Sequence, residues 1–490
     1  MRILNTSRLC GHGNVRGRTL ALDILEAGLA ACDPYQNTRR MLRLDGSRLI
    51  VGHPDFEPSG DPQRGEASYD LTAIRRVLVV GAAKGVQLAA KAIEDVLGDR
   101  LAGGHVIAKH GDPLILERIG VTFGGHPVPD VGCVTGCRRI LELCRDLTSD
   151  DLVFTLAGNG ISSLLTLPAL GLSLEDVRAV TQFLQIERGL PTYDLNPIRN
   201  HLDQLKGGRI ARSLQPARAI HILLYDPDGQ VVDCEQGYVQ LMQRNRFLHT
   251  LPDHGTFADA RAILHRWHAW EAMPEAVRTH LERADPSQET VRVDEFERTR
   301  FRIFGVLPRR VGLLHGAQER AAALGLSAHP LATWLQAEAK QAGFVLADIA
   351  KTVASKGLPF EPPCVLLTAG ELLVTVGKAG GMGGRNQEFV LAAALRIAGS
   401  ANIVVAAVDS DGTDGPGGSL TSDGEVIRCL AGAVVDGWTV EEACVAGVDI
   451  HEALRKHDTS PVLWRLDSGI HATPSVSMTD LGVFLILGRE

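Results

Sequence analysis

Two loops each carry a basic residue that could bind an anion. Lys84 lies in the first loop, Gly81–Gly85, between a predicted strand (Val77–Val80) and a predicted helix (Val86–Leu97). The amino end of a helix offers unpaired backbone N–H groups that attract phosphate or carboxylate, and a lysine adds a mobile positive charge. The pattern is neither a GxGxxG nor a Walker A sequence, so a lysine that simply borders a helix start is the competing interpretation.

Arg385 follows the second loop, Gly377–Gly384, which has five glycines in eight residues. Glycine at this density disfavours regular structure, because each one loses much backbone entropy on folding. The loop is therefore typical of one that wraps a ligand. Arg385 begins the next predicted helix, where its planar guanidinium could bind an acid or a phosphate through two hydrogen bonds. An exposed loop without a ligand is the alternative.

Asp411 and Asp414 follow a predicted strand, Ile403–Val408. Acidic residues at the carboxyl end of a strand are well placed to bind a cation or hydroxyl groups. The spacing excludes an EF-hand, and a plain acidic turn is the alternative. His126, in a proline-containing loop, is more typical of a structural histidine than of a catalytic one.

Strands and helices alternate in the first half of the chain, which predicts a parallel sheet covered on both faces. Ser173 and Asp176 have the spacing of a helix N-cap and its N3 partner. The predicted strands are Val77–Val80, His105–Ala108, Leu152–Leu156 and Ala219–Leu224, and a helix is predicted over Thr19–Cys32.

The second half predicts a mixed α/β sheet that begins with a strand at Phe301. The polar segment Asp285–Glu297 is the predicted linker, so the predicted domains are residues 1–298 and 299–490. The other predicted elements are helices at about 315–325 and 332–356, and strands Val365–Thr368, Ile403–Val408 and Val483–Leu487.

Composition excludes several classes of function. The 490 residues carry a net charge of −8 without a long basic run, which argues against binding to nucleic-acid phosphates. The longest uncharged apolar stretches are too short to cross a membrane. Nine cysteines show no paired metal-binding pattern, which favours free thiols in a reducing cytoplasm.

Taken in order, six segments resemble the glycerate 2-kinase family, some members of which are named hydroxypyruvate reductases. The resemblance runs from about residue 18 to 488, and it implies a Rossmann-like N-terminal domain, a MOFRL-type C-terminal domain and an active site in the cleft between them. The segments are Gly81–Lys84, Gly125–Asp130, Asn196–Arg209, Gly383–Glu388, Asp411–Pro416 and Ala431–Gly437.

The resemblance implies transfer of the γ-phosphoryl group of ATP to the 2-hydroxyl of D-glycerate, with Mg²⁺. Lys84 and Arg385 match the family's essential lysine and arginine, and phosphoryl transfer depends mainly on positioning and charge neutralisation. The resemblance leaves the metal ligands unassigned. It assigns nucleotide phosphates to Gly158, Asn159 and Gly160, further cofactor contacts to Lys206, Asp411 and Asp414, and substrate contacts to Arg199 and His201.

Several loops depart from the family pattern. The family's Ser-Gly-Gly-Gly-Ser turn is replaced by Ala157–Ser162, and its C-terminal Gly-Thr-Asn-x-Asn-Asp by Ser475–Asp480. Another hydroxy acid as substrate, or a non-catalytic ligand-binding protein, therefore stays open. Hydroxypyruvate reduction is disfavoured, because no strand is followed by GxGxxG with an acidic residue downstream. The sequence is compatible with a homodimer.

Overall fold

The chain forms two compact units, Pro34–Pro308 and a second made of Met1–Asp33 together with Arg309–Glu490. The computed structural model describes residues 1–224, 237–305, 312–376, 381–415, 419–422, 425–473 and 479–488. No helix in these ranges is both long enough and apolar enough to cross a membrane.

Strands and helices alternate along both units. The strands are β1 (Leu42–Asp45), β2 (Arg48–Val51), β3 (Ala67–Asp70), β4 (Arg76–Ala82), β5 (Gly103–Lys109), β6 (Gly120–Gly124), β7 (Asp151–Gly158), β8 (Arg218–Leu224), β9 (Arg300–Gly305), β10 (Ser327–Leu335), β11 (Cys364–Gly370), β12 (Ile403–Asp409), β13 (Ser419–Ser422), β14 (Glu425–Arg428), β15 (Gly432–Asp436), β16 (Gly469–Ile470) and β17 (Asp480–Ile486). The helices are α1 (Thr6–Leu9), α2 (Val15–Ala31), α3 (Pro34–Met41), α4 (Val86–Leu97), α5 (Val131–Cys144), α6 (Ile161–Leu164), α7 (Leu174–Thr181), α8 (Thr192–His201), α9 (Arg209–Ser213), α10 (Gly237–Arg244), α11 (Phe257–Arg266), α12 (Glu275–Arg283), α13 (Val293–Phe296), α14 (Leu313–Ala323), α15 (Ala339–Lys356), α16 (Arg385–Ile397), α17 (Thr439–Val445), α18 (Ile450–Lys456) and α19 (Thr459–Arg465).

The unit Pro34–Pro308 is built on a six-stranded sheet in the order β6-β5-β4-β7-β8-β9. All five strand pairs are parallel. The predicted parallel sheet is therefore confirmed. The order of the strands reverses between β4 and β7, and ligands in open α/β sheets bind at the carboxyl ends of the strands at such a point. The predicted cap of α7 is also confirmed, as a capping box between Ser173 and Asp176.

The predicted domain boundary at residue 299 is wrong, because β9 is the edge strand of the first sheet and pairs with β8. The predicted linker Asp285–Glu297 is also packed rather than extended between domains. Its Val291 N–H donates to the Gly207 carbonyl oxygen at 2.9 Å. Phe296 is fully buried in the core of this unit, where a linker would not place a large apolar side chain.

The other unit holds the mixed sheet, in the order β10-β11-β17-β12-β15-β16. Only β10 and β11 pair in parallel, and the four other pairs are antiparallel. The predicted mixed α/β class of this half is confirmed. The helix predicted from residue 332 is wrong at its start, because β10 occupies that region and α15 begins only at Ala339.

The first 33 residues pack with the C-terminal part of the chain and not with the first sheet, so the predicted domain 1–298 is wrong at this end as well. This packing includes a buried ion pair between α2 and the end of β15. The side chains of Arg18 and Asp436 are both fully buried, with Nε and Oδ2 2.5 Å apart. The backbone N–H of Asn14 donates to the same carboxylate at 2.9 Å.

Candidate active site

Lys84 and the loop Gly158–Gly160 meet at the point where the strand order of the parallel sheet reverses. Ala82 at the end of β4 lies opposite Ala157 at the end of β7. The next residues along each strand therefore come together, and the Lys84 N–H donates to the Asn159 carbonyl oxygen at 2.8 Å. The structure thus brings together four of the residues predicted from sequence at the position where this fold class binds ligands.

Two glycines in this loop are required by close approaches. A Cβ on Gly158 would lie 2.3 Å from the Leu224 carbonyl oxygen, so no side chain fits there. Gly160 has a φ of +83°, and a Cβ on it would lie 3.0 Å from Cγ of Lys84 and 3.4 Å from Cδ2 of His126. The backbone of Gly160 therefore lies directly against the Lys84 side chain. His126, which the sequence favours as structural, lies beside the same loop.

Arg385, the first residue of α16, lies among three carboxylates at one end of the mixed sheet. Its Nε is 2.9 Å from Asp480, its Nη2 is 2.9 Å from Asp409 Oδ2, and its Nη1 is 3.5 Å from Glu371 Oε1. About a quarter of the Arg385 side chain (25%) is exposed. Sequence reasoning missed these partners, although Asp480 is the acidic residue that the C-terminal family motif retains.

Burial and charge oppose each other in this cluster. Burial lowers the pKa of Arg385, but the attraction of Asp480, Asp409 and Glu371 outweighs it and raises that pKa far above the usual value, so the guanidinium stays charged. Burial raises the pKa of Asp480 to about 6, despite the attraction of Arg385. Burial and repulsion from Asp411 likewise raise the pKa of Asp409. For the carboxylates, loss of hydration is the larger effect.

Asp414 caps the amino end of α16. Its side chain is fully buried, and its Oδ1 and Oδ2 accept the backbone N–H groups of Asn386 (3.0 Å) and Gln387 (2.9 Å). The alternative of a plain acidic turn is therefore closer to what the structure shows for Asp414 than a cation ligand. Asp411 is half-buried, and its Oδ1 accepts the N–H of Thr413 at 2.9 Å.

The described part of the glycine loop, Gly381–Gly384, packs closely on neighbouring backbone. A Cβ on Gly381 would lie 2.6 Å from the His457 carbonyl oxygen, and one on Gly384 would lie 2.2 Å from that of Asp414. Close packing thus accounts for these glycines. The predicted ligand-wrapping residues Gly377–Gly380, and likewise Pro416 and the motif residues Ser475–Met478, lie outside the described residues.

Lys206 and His201 have internal partners instead of facing a ligand. The Lys206 ammonium is buried, 2.6 Å from Asp203 Oδ2 and 2.9 Å from Thr166 Oγ1. His201 is buried, with Nδ1 2.6 Å from the Pro197 carbonyl oxygen and Nε2 2.5 Å from Glu289 Oε1. His201 therefore links the end of α8 to Glu289, and Lys206 links the turn after α8 to Thr166.

Family models match both units of the chain. The model described as "Domain of unknown function (DUF4147)" matches residues 20–234, and that of the MOFRL family matches residues 364–479. A glycerate 2-kinase from Pyrococcus horikoshii is 31% identical over 465 residues, covering 93% of this chain and 96% of the relative. A D-glycerate 2-kinase from Thermotoga maritima is 30% identical over 84% of this chain and 91% of its own length.

The chain belongs to the glycerate 2-kinase family. The crystal structure of a glycerate kinase from Thermotoga maritima has a TM-score of 0.72 at 28% identity, over 96% of this chain and 99% of that one. This member of the family is accordingly a phosphotransferase of the kinase type.

In the part of the chain that the structure describes, this glycerate 2-kinase family member has no group of three or more His, Cys, Asp or Glu residues that could hold a metal ion. Its Lys84 and Arg385 belong to different compact units. The predicted cleft between them stays a prediction.

Proposed function

We propose that the protein transfers the γ-phosphoryl group of ATP to the 2-hydroxyl of D-glycerate and releases 2-phosphoglycerate and ADP. The observation that carries this proposal is the contact of Lys84 with the Asn159–Gly160 loop at the β4/β7 switch point. It is supported by membership of the glycerate 2-kinase family over nearly the whole chain.

The residues at the switch point fit a nucleotide phosphate. The backbone of Gly160 lies against the Lys84 side chain, which supplies positive charge beside the loop. In the reaction, the acceptor hydroxyl oxygen bonds to the γ-phosphorus, the bond to the β-phosphate oxygen breaks, and the hydroxyl proton is released. We assign to Lys84 the neutralisation of charge that develops on the phosphoryl oxygens.

Arg385 is the second proposed catalytic residue. Asp480 and Asp409 hold two of its nitrogens at 2.9 Å, so the third, Nη1, is the one proposed to contact a substrate oxygen. Glu371 lies 3.5 Å from this nitrogen, the longest of the three ion pairs. The two buried aspartates thus orient the guanidinium and leave its partly exposed edge for the ligand.

Mg²⁺ would enter with the nucleotide, since it usually binds one or two carboxylates together with phosphate oxygens. When bound, it would neutralise charge on the β- and γ-phosphates. Of the two aspartates predicted to contact it or the ribose, only the half-buried Asp411 fits, because both oxygens of Asp414 accept backbone N–H groups.

The test is an ADP-release assay with ATP, Mg²⁺ and a panel of small hydroxy acids, with the phosphorylated product identified by ³¹P NMR. We expect turnover that needs D-glycerate and is abolished by a metal chelator. Turnover with a different acid would leave the kinase chemistry standing and correct the substrate. Nucleotide binding without turnover on any acid of the panel would contradict the proposal.

Lys84→Ala and Arg385→Ala should each lower kcat by about a hundredfold or more, because each removes charge stabilisation of the transferred group. Arg396→Ala is the matched control for Arg385. It lies in the same helix, is exposed, and stacks on Phe344 with its guanidinium carbon 5.0 Å from the ring centroid. Full activity in either site variant, with the control also active, would show that the site is wrongly placed.

A further inference from the structure

Arg199 is a buried cation without a balancing acid among the described residues. Only 7% of the residue is exposed, and its Nη2 donates to the side-chain oxygen of Gln185, a neutral partner. Burial lowers the pKa of Arg199 to about 10. A buried guanidinium normally has a carboxylate beside it, because removal of its hydration is otherwise uncompensated.

Arg209 provides the comparison within the same unit. It is buried to the same degree, but its Nη1 donates to the Gln288 carbonyl oxygen at 2.9 Å and its Nη2 to that of Asp203 at 2.6 Å. Burial lowers its pKa, while Asp203, Asp253 and Glu289 all raise it. Arg209 therefore has carbonyl acceptors on two of its nitrogens and acids nearby, whereas Arg199 has only the Gln185 side chain among the described residues.

The face of α8 that carries Arg199 also carries side-chain amide atoms that have no hydrogen-bond partner among the described residues. Asn196 lies three residues before Arg199, which places the two on one side of the helix. It is fully buried, and neither its Oδ1 nor its Nδ2 has a hydrogen-bond partner within the described ranges. Asn200 donates to Asp253 Oδ2 at 3.1 Å, which seats this face against the segment 246–253, yet its own Oδ1 has no partner there.

The facing segment contributes two more such groups, His249 and Thr250. The Nε2 of His249 is 2.9 Å from Ser162 Oγ, whereas its Nδ1 and the Thr250 hydroxyl have no hydrogen-bond partner in the described chain. Burial lowers the pKa of His249, as do the nearby charges of Lys206, Arg199 and Arg209, so the imidazole is neutral. Buried polar atoms are nearly always satisfied, and a concentration of unsatisfied ones calls for a bound group.

We propose that Arg199, Asn196 and His249 form a binding subsite for a small oxyanion, either a carboxylate or a phosphate group. The guanidinium supplies charge and a planar pair of donors, and the amide and imidazole supply hydrogen bonds around it. Ser162 connects the subsite to the active-site loop, because it lies two residues after Gly160. The choice of D-glycerate and phosphate as test ligands rests on the proposed function, whereas the subsite itself is argued from the buried groups alone.

His201 is outside this subsite, although the family resemblance pairs it with Arg199 as a substrate residue. Both of its ring nitrogens are already within hydrogen-bond distance of protein oxygens, those of Pro197 and Glu289. The second α8 residue of the proposed subsite is therefore Asn196, on the preceding turn of the helix.

The experiment measures anion binding to the full chain by isothermal titration and by the shift in melting temperature, separately with inorganic phosphate and with D-glycerate. Wild type should bind at least one of the two. Arg199→Met should weaken that binding by about 10- to 100-fold, the range expected for loss of a charge-assisted hydrogen bond. Arg178→Met, which changes an arginine on α7 that is 43% exposed, should bind as wild type does.

A second signature separates this subsite from a structural arginine. Because no acid among the described residues compensates the burial of Arg199, Arg199→Met should melt at or above the wild-type temperature in anion-free buffer. Asn196→Leu should likewise melt at or above the wild-type temperature, and it should weaken anion binding. This second variant tests the proposal if Arg199→Met does not fold. Destabilisation of both variants with unchanged anion binding would overturn the proposal.

The two ligands identify the source of the oxyanion. Selective loss of D-glycerate binding assigns the subsite to the acceptor carboxylate, and selective loss of phosphate binding assigns it to a phosphoryl group. Absence of any anion effect on wild type would show a water-filled cavity and overturn the proposal. Lys84→Ala separates the proposed function from the proposed subsite. It should abolish turnover, whereas Arg199→Met should still weaken anion binding when it is introduced into the Lys84→Ala variant.

Discussion

Gly160 and Lys84 give the most direct link between backbone shape and the proposed chemistry. Gly160→Ala places a methyl group in a left-handed conformation and 3.0 Å from Cγ of Lys84, so the lysine must shift. We expect kcat/KM to fall by about tenfold or more, because displaced catalytic groups lose alignment, together with a stability loss of roughly 1–2 kcal/mol. Steady-state kinetics and urea unfolding measure the two effects.

Gly171→Ala is the matched control for this substitution. Gly171 has a φ of +90°, and a Cβ there would meet no atom within 4 Å. It should therefore show a similar loss of stability and wild-type kinetics. Equal kinetic effects at both glycines would mean that backbone strain, and not contact with Lys84, is responsible.

Asp480 makes stability depend on pH in a direction opposite to that of a usual salt-bridged carboxylate. Its pKa is raised by burial to about 6 in the folded chain, above the unfolded value of about 3.9. Folding therefore favours the protonated form. This favourable contribution is complete below the unfolded pKa and is lost as the pH rises through about 6.

Asp480→Asn removes this titration. The stability of wild type relative to Asp480→Asn should decrease between about pH 4 and pH 7, followed by melting temperatures across that range. An increase over the same range would show that the Arg385 ion pair outweighs burial. The variant should also lower kcat more than it raises KM, since it loosens Arg385, the proposed catalytic arginine.

At the scale of an element, α16 depends on a buried cap that lies far from it in sequence. Asp414→Ala leaves the N–H groups of Asn386 and Gln387 without their acceptor inside the protein, and we expect a loss of about 2–3 kcal/mol in urea unfolding. Asp176→Ala, at the exposed capping box of α7, should cost only about 0.5–1 kcal/mol. Equal losses would mean that burial adds nothing to the cap.

Local patterns identified eight of the twelve strands in the two six-stranded sheets, because the central strands of both sheets are runs of buried apolar residues. β4, β7 and β12 are buried nearly throughout, and each appears in the sequence as an uninterrupted apolar segment. β10 was missed because it is an edge strand, never fully buried, and contains Pro330. Its composition therefore carries no strand signal.

The candidate site was predictable in part for a similar reason. Lys84 and Gly160 follow central parallel strands, so strand order alone brings them together. The roles of Lys206 and Asp414 could not be read from sequence, because a buried partner and a ligand select the same residue types. Asn196 gave no signal, since an unpartnered amide is visible only once its surroundings are known.

At the scale of the whole molecule, the ion pair of Arg18 and Asp436 joins the first helices to the C-terminal sheet. Arg18→Leu leaves a fully buried carboxylate unpaired, and we expect a loss of about 3–5 kcal/mol in the unfolding of that unit. Replacing both residues by leucine should recover much of this loss, because no buried charge then remains.

The exposed pair of Arg320 and Asp23 is the control for this prediction. It joins α14 to α2 within the same unit at 2.6 Å, with side chains 42% and 37% exposed. Arg320→Leu should cost less than about 1 kcal/mol. A loss as large as that of Arg18→Leu would mean that helix docking, and not burial of charge, sets the cost.

The return of the chain to its starting unit has a consequence for synthesis. A ribosome makes α2 before its partners β12, β15 and β17, with the whole of Pro34–Pro308 in between. The parallel-sheet unit can complete its core before the partners of α2 have been made. During that time Leu22, Leu25 and Leu29 of α2, which are buried in the folded protein, stay exposed. The order of synthesis and the order of assembly thus differ, and α2 should be among the last helices of the chain to gain protection from a protease.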